Sequence, residues 1–428
     1  MIFSVFSLIL ALFFLSIPVA ASIFFAGLML SYFYTPIPIY RALGEIAWSA
    51  SSDALLTSIP LFILMGEFLL RAGIATRMYA AINHWIGWLP GGLLHSNIGA
   101  SSVFAATSGS SVATAATVST VALPQMEIYG YNPRLFMGSI AAGGTLGILI
   151  PPSINLIVYG ALTETSIPKL YLAGFIPGFI LATSFSLLII IICVFLPHLA
   201  GRQEDSSWHE KIHSLPALVP PLLIFFIVIG SIYAGVATPT EAASLGVVSV
   251  LILTAANRKL TISVILKSVE GTVKTTAMIM LIVIAASFLN FAMTMVGFSQ
   301  MLSNAAANSG FSPYQTLFLI ILFYLILGCF MESMAMMITT IPIVTPIVVQ
   351  MGFDPIWFGI VVILLVETAL ITPPVGVNLY IVHGVRGQGP LHDVMIGAAP
   401  FVIALAVVLG LIIAFPEIVL WLPKFMAN

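Results

Sequence analysis

Two pairs of consecutive prolines, each set in apolar sequence, constrain this chain more than any other feature. The first lies in Gly143-Gly144-Thr145-Leu146-Gly147-Ile148-Leu149-Ile150-Pro151-Pro152-Ser153-Ile154-Asn155 and the second in Glu367-Thr368-Ala369-Leu370-Ile371-Thr372-Pro373-Pro374-Val375-Gly376-Val377-Asn378. Each pair removes two backbone donors, and each proline pushes the residue before it out of helical geometry. The carbonyls one turn earlier, Gly147 and Ile148 or Ala369 and Leu370, then lose their helical partners. Both stretches predict a discontinuous helix.

Asn132-Pro133 and Asp354-Pro355 each read as an N-cap followed by proline at the first helical position, so a helix should start at each. From Pro133 to Gly143 a helix rises roughly 15 Å, half of a hydrocarbon core about 30 Å thick. The first break is therefore expected to open at Gly143, near the midplane, with broken helices over 133–165 and 355–384. The two copies keep register, since 355 − 133, 373 − 151 and 346 − 124 all equal 222. Such a duplicated unit, with interrupted segments in corresponding halves, points to a transporter binding site. There, unwound carbonyls face cations and half-helix amino ends face anions. Proline kinks without a ligand are common in single membrane helices, but the doubling and the polar neighbours weigh against that reading.

With 60% hydrophobic and 7% charged residues and a mean hydropathy of +1.16, the chain is excluded from ordinary soluble proteins, which are about 25% charged. It reads as an all-α polytopic protein of a lipid bilayer. A net charge of −2 argues against nucleic acid or a charge-driven surface role. Cys193 and Cys329 lie in apolar runs and read as two buried thiols. No basic residue precedes Arg41, and the apolar run from Ile2 to Phe33 is longer than a signal peptide needs, so it should stay in the protein. Pro18 makes it one kinked helix or two short ones.

The segment Ile39 to Ala54, with Arg41, Glu45 and Asp53, suits a helix lying along the interface, and Leu260 to Lys274 is its counterpart. A span from Leu56 to Leu70 follows, where Glu67 and Arg71 sit one turn apart and read as a local ion pair. His95 to Pro124 would cover roughly 45 Å as one helix. A re-entrant hairpin with its tip at Ser108 to Ser111 fits better. Ser312 to Pro346, interrupted at Gly328 to Ser333, is the matching hairpin. Spans Leu170 to Leu196 and Leu391 to Leu422 close the two halves. The polar run Gly201 to His213 separates a first repeat at 1–200 from a second at 215–428. Basic residues cluster only weakly along the sequence, too little to orient the chain.

Neutral oxygens gather at the tips and breaks: Ser108, Ser110, Ser111 and Thr145 in the first copy, Ser333, Thr368 and Thr372 in the second. With freed carbonyls they make a cage for a hard cation such as sodium, although any one of them alone is more simply a helix-packing hydroxyl. Glu332 and Glu367 stand where the first copy has Ser110 and Thr145, because 332 − 222 = 110 and 367 − 222 = 145. Each is open to three roles: binding a cation, carrying a proton, or accepting backbone hydrogen bonds. An intramembrane hydrolase built on Ser108-Gly109-Ser110 and His95 is a distant alternative, weakened by the absence of a duplicated base. No metal-ligand spacing of His and Cys and no phosphate-binding loop is present.

These features resemble the large membrane subunit of TRAP transporters, the tripartite ATP-independent periplasmic systems. The resemblance runs over essentially the whole chain. It rests on Ile59-Pro-Leu-Phe-Ile-Leu-Met-Gly66, Ala105-Ala-Thr-Ser-Gly-Ser-Ser-Val-Ala-Thr114, Gly144-Thr-Leu-Gly-Ile-Leu-Ile-Pro-Pro-Ser153 and Thr368-Ala-Leu-Ile-Thr-Pro-Pro-Val-Gly-Val-Asn-Leu379. It implies two inverted repeats in an elevator-type fold, a bacterial inner-membrane location and sodium-coupled uptake. It also implies a small four-helix membrane subunit and a periplasmic substrate-binding protein as partners. By the same resemblance, two or more sodium ions would lie between each hairpin tip and its break, at Ser111, Thr145, Gly147, Pro151, Ser333, Thr368, Thr372 and Pro373. The substrate would lie between the tips, at Ser108, Ser110, Ser153, Asn155, Glu332 and Asn378. Family substrates are small organic anions or zwitterions: dicarboxylates, sialic acids, keto acids and sulfonates. No arginine inside the breaks names which, and half-helix amino ends could hold the anion. A self-sufficient ion-coupled carboxylate carrier or antiporter is the alternative within transporters.

Overall fold

The computed structural model describes residues 8, 11, 12, 15, 17–202, 206–297, 301, 310–328 and 331–426, and every regular element among them is helical. In chain order the α-helices are α1 (Val19–Phe33), α2 (Leu43–Ser51), α3 (Ser58–Arg71), α4 (Ala75–Ile86), α5 (Leu93–Ser108), α6 (Ser111–Ile128), α7 (Pro133–Leu149), α8 (Ile154–Thr163), α9 (Ile167–Phe195) and α10 (Trp208–Ser214). After the polar connection come α11 (Val219–Tyr233), α12 (Pro239–Ala256), α13 (Ile262–Met295), α14 (Pro313–Gly328), α15 (Ser333–Gln350), α16 (Pro355–Ile371), α17 (Val377–Arg386), α18 (Leu391–Ala414) and α19 (Glu417–Phe425). Five of them, α9, α12, α13, α15 and α18, are long and apolar enough to cross a membrane unaided.

The predicted helix starts hold for a local reason. Asn132 Oδ1 accepts from the Arg134 and Leu135 amides, and Asp354 Oδ1 from those of Ile356 and Trp357, so each cap satisfies donors that the first helical turn leaves orphaned. Every residue from Leu135 to Leu149 and from Trp357 to Ile371 is buried. Helices apolar on all sides belong at the centre of a bundle, and α7 and α16 are that centre.

The 222-residue offset also holds in space: α6 begins and ends 222 residues before α15, and α7 before α16 (333 − 111, 350 − 128, 355 − 133, 371 − 149). The copies run antiparallel. Tyr159 Oη near the end of α8 donates to Pro355 O at the start of α16 (2.6 Å). At the other end, Arg134 at the start of α7 pairs with Asp393 (2.9 Å), which also meets Arg386 at the end of α17 (3.5 Å).

Four expectations are corrected. The α7 helix does not open at Gly143 but continues to Leu149, with the break at 150–153. Its glycines serve close packing instead: a Cβ at Gly143 would lie 2.5 Å from Ser101 Oγ, and one at Gly147 2.6 Å from Ser110 O. The arm expected at Leu260 to Lys274 is not a separate helix. In the first copy the turn at Asp53, whose Oδ1 accepts from Leu55 N (2.8 Å), divides α2 from α3, whereas the equivalent Thr275 leaves α13 continuous over 34 residues. That is about 51 Å of helix, longer than a core of about 30 Å requires. The closing span breaks at Pro416, making α19 a separate helix, and the polar run 201–213 contains most of α10. Cys193 is buried; Cys329 and most of the segment before Pro18 lie outside the described residues, and α1 starts directly after that proline.

Folding gathers the scattered basic residues. Arg134 and Arg386 meet at Asp393, the Arg202 amide donates to Tyr129 O, Trp85 Nε1 to Lys211 O, and Arg77 to Asn257 Oδ1. With Arg258 next to Asn257 and Lys259 against Gly73, seven of the thirteen Lys and Arg residues gather on the side where α7 begins.

Candidate functional site

Both hairpin tips and the first break meet around one cavity of about 390 Å³. At the first tip, Gly109 is left-handed (φ 62°), and a Cβ there would lie 2.7 Å from Pro152 O. Only glycine lets the tip rest directly on the break, where the Ile154 amide donates to Gly109 O (3.4 Å). Ser110 caps α6, accepting from Ala113 N (3.4 Å), and Ser108 Oγ bonds Thr114 Oγ1 (3.0 Å). Behind the tip, Ser111 Oγ donates to Thr145 O (3.4 Å), and Thr145 Oγ1 donates to Ala142 O (2.6 Å).

In the break, the Pro151-Pro152 peptide bond is cis, as is Pro373-Pro374. Ser153 Oγ donates to Ile148 O and accepts from Leu156 N (3.3 Å), capping α8. In helical register the donor to Gly147 O would be the amide of residue 151, and Pro151 has none. The second break differs. Thr372 N still donates to Ala369 O (3.3 Å), so that carbonyl is not freed as expected, and the hydroxyls of Thr368 and Thr372 donate back to Leu364 O (2.7 Å) and Thr368 O (2.6 Å).

At the second tip Glu332 caps α15: Oε2 accepts from Met334 N (3.0 Å) and Ala335 N (3.2 Å), and Oε1 from Ser333 Oγ (2.7 Å). Of its three candidate roles, accepting hydrogen bonds from neighbouring backbone is the one this geometry displays. Ser110 and Glu332, equivalent in the repeat, are thus both N-caps. Residues 329–330, which complete this tip, lie outside the described residues.

Six of the predicted residues line the cavity together: Ser108, Ser110, Ser111, Asn155, Glu332 and Ser333. Thr145, Gly147, Pro151 and Ser153 form a buried layer behind the first tip. Thr368, Thr372, Pro373 and Asn378 belong to the second break and are not among its lining residues. Asn378 instead donates to Ala141 O (3.2 Å) and leaves its buried Oδ1 without a partner among the described residues. The amino ends of α6, α8 and α15 and the carboxyl ends of α5 and α7 border the space, so partial positive and negative charge converge there without a basic side chain in its wall.

Sequence reasoning missed the far wall, where Gly66 and Glu67 of α3 and Thr275 and Met278 of α13 face the tips. Glu67 does pair with Arg71 as expected. A signal existed in Gly66, where a Cβ would lie 3.2 Å from Ser108 O. The hydrolase reading fails on distance: His95 Nε2 bonds Pro90 O (2.9 Å), and thirteen residues along α5 put it roughly 20 Å from Ser108.

Residues 6–418 match the family model described as Tripartite ATP-independent periplasmic transporter, DctM component. The C4-dicarboxylate TRAP transporter large permease protein DctM of Pseudomonas aeruginosa is 35% identical over 387 residues, covering 90% of each chain. The sialic acid TRAP transporter large permease protein SiaM of Vibrio cholerae is 33% identical over 421 residues, covering 97% of this chain and 96% of its own. Among solved structures, the crystal structure of the Alcanivorax borkumensis YdaH transporter superposes with a TM-score of 0.68 over 89% of each chain at 14% identity, a likeness of fold alone.

Proposed function

The chain belongs to the DctM-component family of tripartite ATP-independent periplasmic transporters, a transport subunit and not an enzyme, and from that premise we propose that it imports a small organic acid with sodium across a bacterial inner membrane. The observation that carries this reading is the meeting of both hairpin tips and the first break at one cavity. An organic anion fits the amino ends of α6 and α8, whose aligned dipoles attract negative charge, whereas at α15 that place is taken by the Glu332 carboxylate. C4-dicarboxylates, sialic acids and related acids are the substrate classes that the relatives' names suggest.

Sodium fits the oxygens around the breaks. Asn378 Oδ1 is buried without a partner among the described residues, and the carbonyl of Gly147 has proline where its donor would be. Ser111, Thr145, Thr368 and Thr372 direct their hydroxyl hydrogens to backbone carbonyls, which leaves oxygen lone pairs for a hard cation. A bound cation would neutralise charge beside the anion.

The cavity also lies at a seam. Hairpin tips and α8 form one wall, α3 and α13 the other, an arrangement suited to alternating access by sliding one group past the other. The side that gathers seven of the thirteen basic residues is the cytoplasmic one by the positive-inside rule. A small membrane subunit and a periplasmic binding protein complete the transporter, because the described residues include no large soluble domain with which to capture a scarce ligand.

The test is uptake into liposomes that contain this chain and its small membrane subunit, with the loaded binding protein outside. Accumulation should require an inward sodium gradient. Uptake of free substrate by this chain alone would favour a self-sufficient carrier, and uptake indifferent to sodium would overturn the coupling.

A further inference from the structure

We infer that the pocket where α4, the end of α12 and the start of α11 meet binds the phosphate headgroup of an anionic phospholipid, whose acyl chains run down α11. This is independent of what the chain transports. The pocket encloses about 230 Å³ between Arg77 of α4, His213 of α10 and Asn257 after α12, with Ile74, Pro216 and Pro220 on its apolar side. The helix α4 bends 78° away from α3. With α3 crossing the bilayer, α4 lies along its surface, burying Met78, Tyr79 and Ile82 and exposing Arg77.

Three basic residues gather there. Arg77 Nη2 donates to Asn257 Oδ1 (2.8 Å), which holds the guanidinium at the pocket and leaves Asn257 Nδ2 as a donor without an acceptor among the described residues. Arg258 closes α12 in the left-handed conformation (φ 55°), its amide donating to Ala255 O and that of Lys259 to Thr254 O. Glycine is the usual residue at such a helix end, so the arginine holds its place against backbone preference. Lys259 lies along the α3–α4 bend, where a Cβ on Gly73 would be 3.4 Å from Lys259 Cε. No carboxylate lines the pocket; Glu210 of α10 folds back to accept from Ser207 N (2.7 Å).

Guanidinium, imidazole and carboxamide donors suit phosphate oxygens. The apolar surface next to them calls for a lipid rather than a free anion. Val219, Leu222, Leu223 and Phe226 are exposed, and their spacing sets them in one stripe down α11, beginning beside Pro220. Headgroup and chains are thus both provided for. A net negative headgroup is selected, because choline or ethanolamine would bring an ammonium group among basic residues with no carboxylate to meet it. The pocket is also a joint: α4 packs on the hairpin arm α5, and α12 on α3, so a lipid held there ties the first hairpin to the far wall of the central cavity.

The test uses the purified complex of this chain with its small membrane subunit, stripped of lipid in detergent and titrated with phosphatidylglycerol, phosphatidylcholine or inorganic phosphate. Phosphatidylglycerol should bind and raise the melting temperature. Arg77→Gln and Lys259→Gln should each weaken that binding by about five-fold, the worth of one basic residue at an anionic surface. Lys274→Gln, whose lysine is paired with Glu270, should not. Phosphatidylglycerol with a photoreactive diazirine in its chain should label the chain within residues 219–226. If R77Q does not fold, K259Q reads the same site and leaves the Arg77–Asn257 bond in place. Equal affinity for phosphatidylcholine overturns the inference, as does wild-type affinity in K259Q. Displacement of the lipid by low-millimolar phosphate makes the pocket a free-anion site and overturns it too. Label on the small subunit in place of α11 means that the partner covers the stripe, and the lipid site is then refuted.

Discussion

Gly138 of α7 and Gly397 of α18 cross backbone against backbone: a methyl group on Gly138 would lie 2.0 Å from Gly397 O, and one on Gly397 would lie 1.8 Å from Arg134 O. The crossing fixes the first broken helix against the closing span of the second half, beside the Arg134–Asp393 pair. No rotamer change relieves a contact between main chains.

Gly138→Ala or Gly397→Ala should therefore lower stability by about 3 kcal/mol or more, at or beyond the usual range for overpacking. Gly230→Ala and Gly410→Ala, where a Cβ would meet nothing within 4 Å, should be neutral or slightly stabilising. Thermal unfolding in detergent separates the two pairs. Equal melting temperatures for all four variants would refute the crossing.

The repeats are antiparallel, so equivalent positions belong on opposite sides of the membrane. Ile128 and Gln350 are both exposed and 350 − 128 = 222. Single cysteines at these positions, two residues ahead of the left-handed Gly130 and Gly352, should react from opposite sides, with Ile128→Cys labelled from the cytoplasm. Reaction of both from one side would be incompatible with the fold.

Pro151→Ala places an amide opposite Gly147 O and should draw that carbonyl back into the helix. Loss of one good oxygen ligand is worth on the order of 1 to 3 kcal/mol, or about five- to 150-fold in half-saturating sodium. Pro373→Ala should act more weakly, because Ala369 O already has Thr372 N as its donor. Initial uptake rates against sodium concentration test both. The expectation fails if P373A has the larger effect.

Glu332 holds the first amides of α15, so Glu332→Ala should speed hydrogen exchange at Met334 and Ala335 and lower stability by about 1 kcal/mol, a typical N-cap loss. Ser110→Ala should do the same at Ala113 to a smaller degree, its bond being longer. Unchanged protection in E332A would mean that the carboxylate does not cap the helix.

What was legible in the sequence was local or repeated. Asn132-Pro133 and Asp354-Pro355 state helix starts through their own side chains, and the matching offsets expose the duplication without any structure. The end of α7 was not legible, because Gly143, Gly144 and Gly147 look like breakers until the hairpin is seen lying on them. The gap between α2 and α3 against the unbroken α13 is marked by Asp53, whose side chain holds a turn where the second copy has Thr275. Glu67 joins the cavity through a tertiary approach at Gly66, and the basic face exists only once distant loops are brought to one side.

The duplicated hairpin arms and broken helices match in their bounds and differ in charge. At two equivalent positions on the tips and breaks, Ser110 against Glu332 and Thr145 against Glu367, the carboxylate is in the second half. On the proposed mechanism, Glu332 places a negative charge at the cavity of the empty moving group, and a charge moved through the membrane field is subject to about 2.3 kcal/mol per unit charge for each 100 mV. An inside-negative potential pushes that charge toward the outer face, where substrate is loaded, and sodium bound beside it cancels the force. Voltage would thus return the emptied carrier to its starting position and act far less on the loaded one, which gives a nearly symmetric fold a preferred direction of travel.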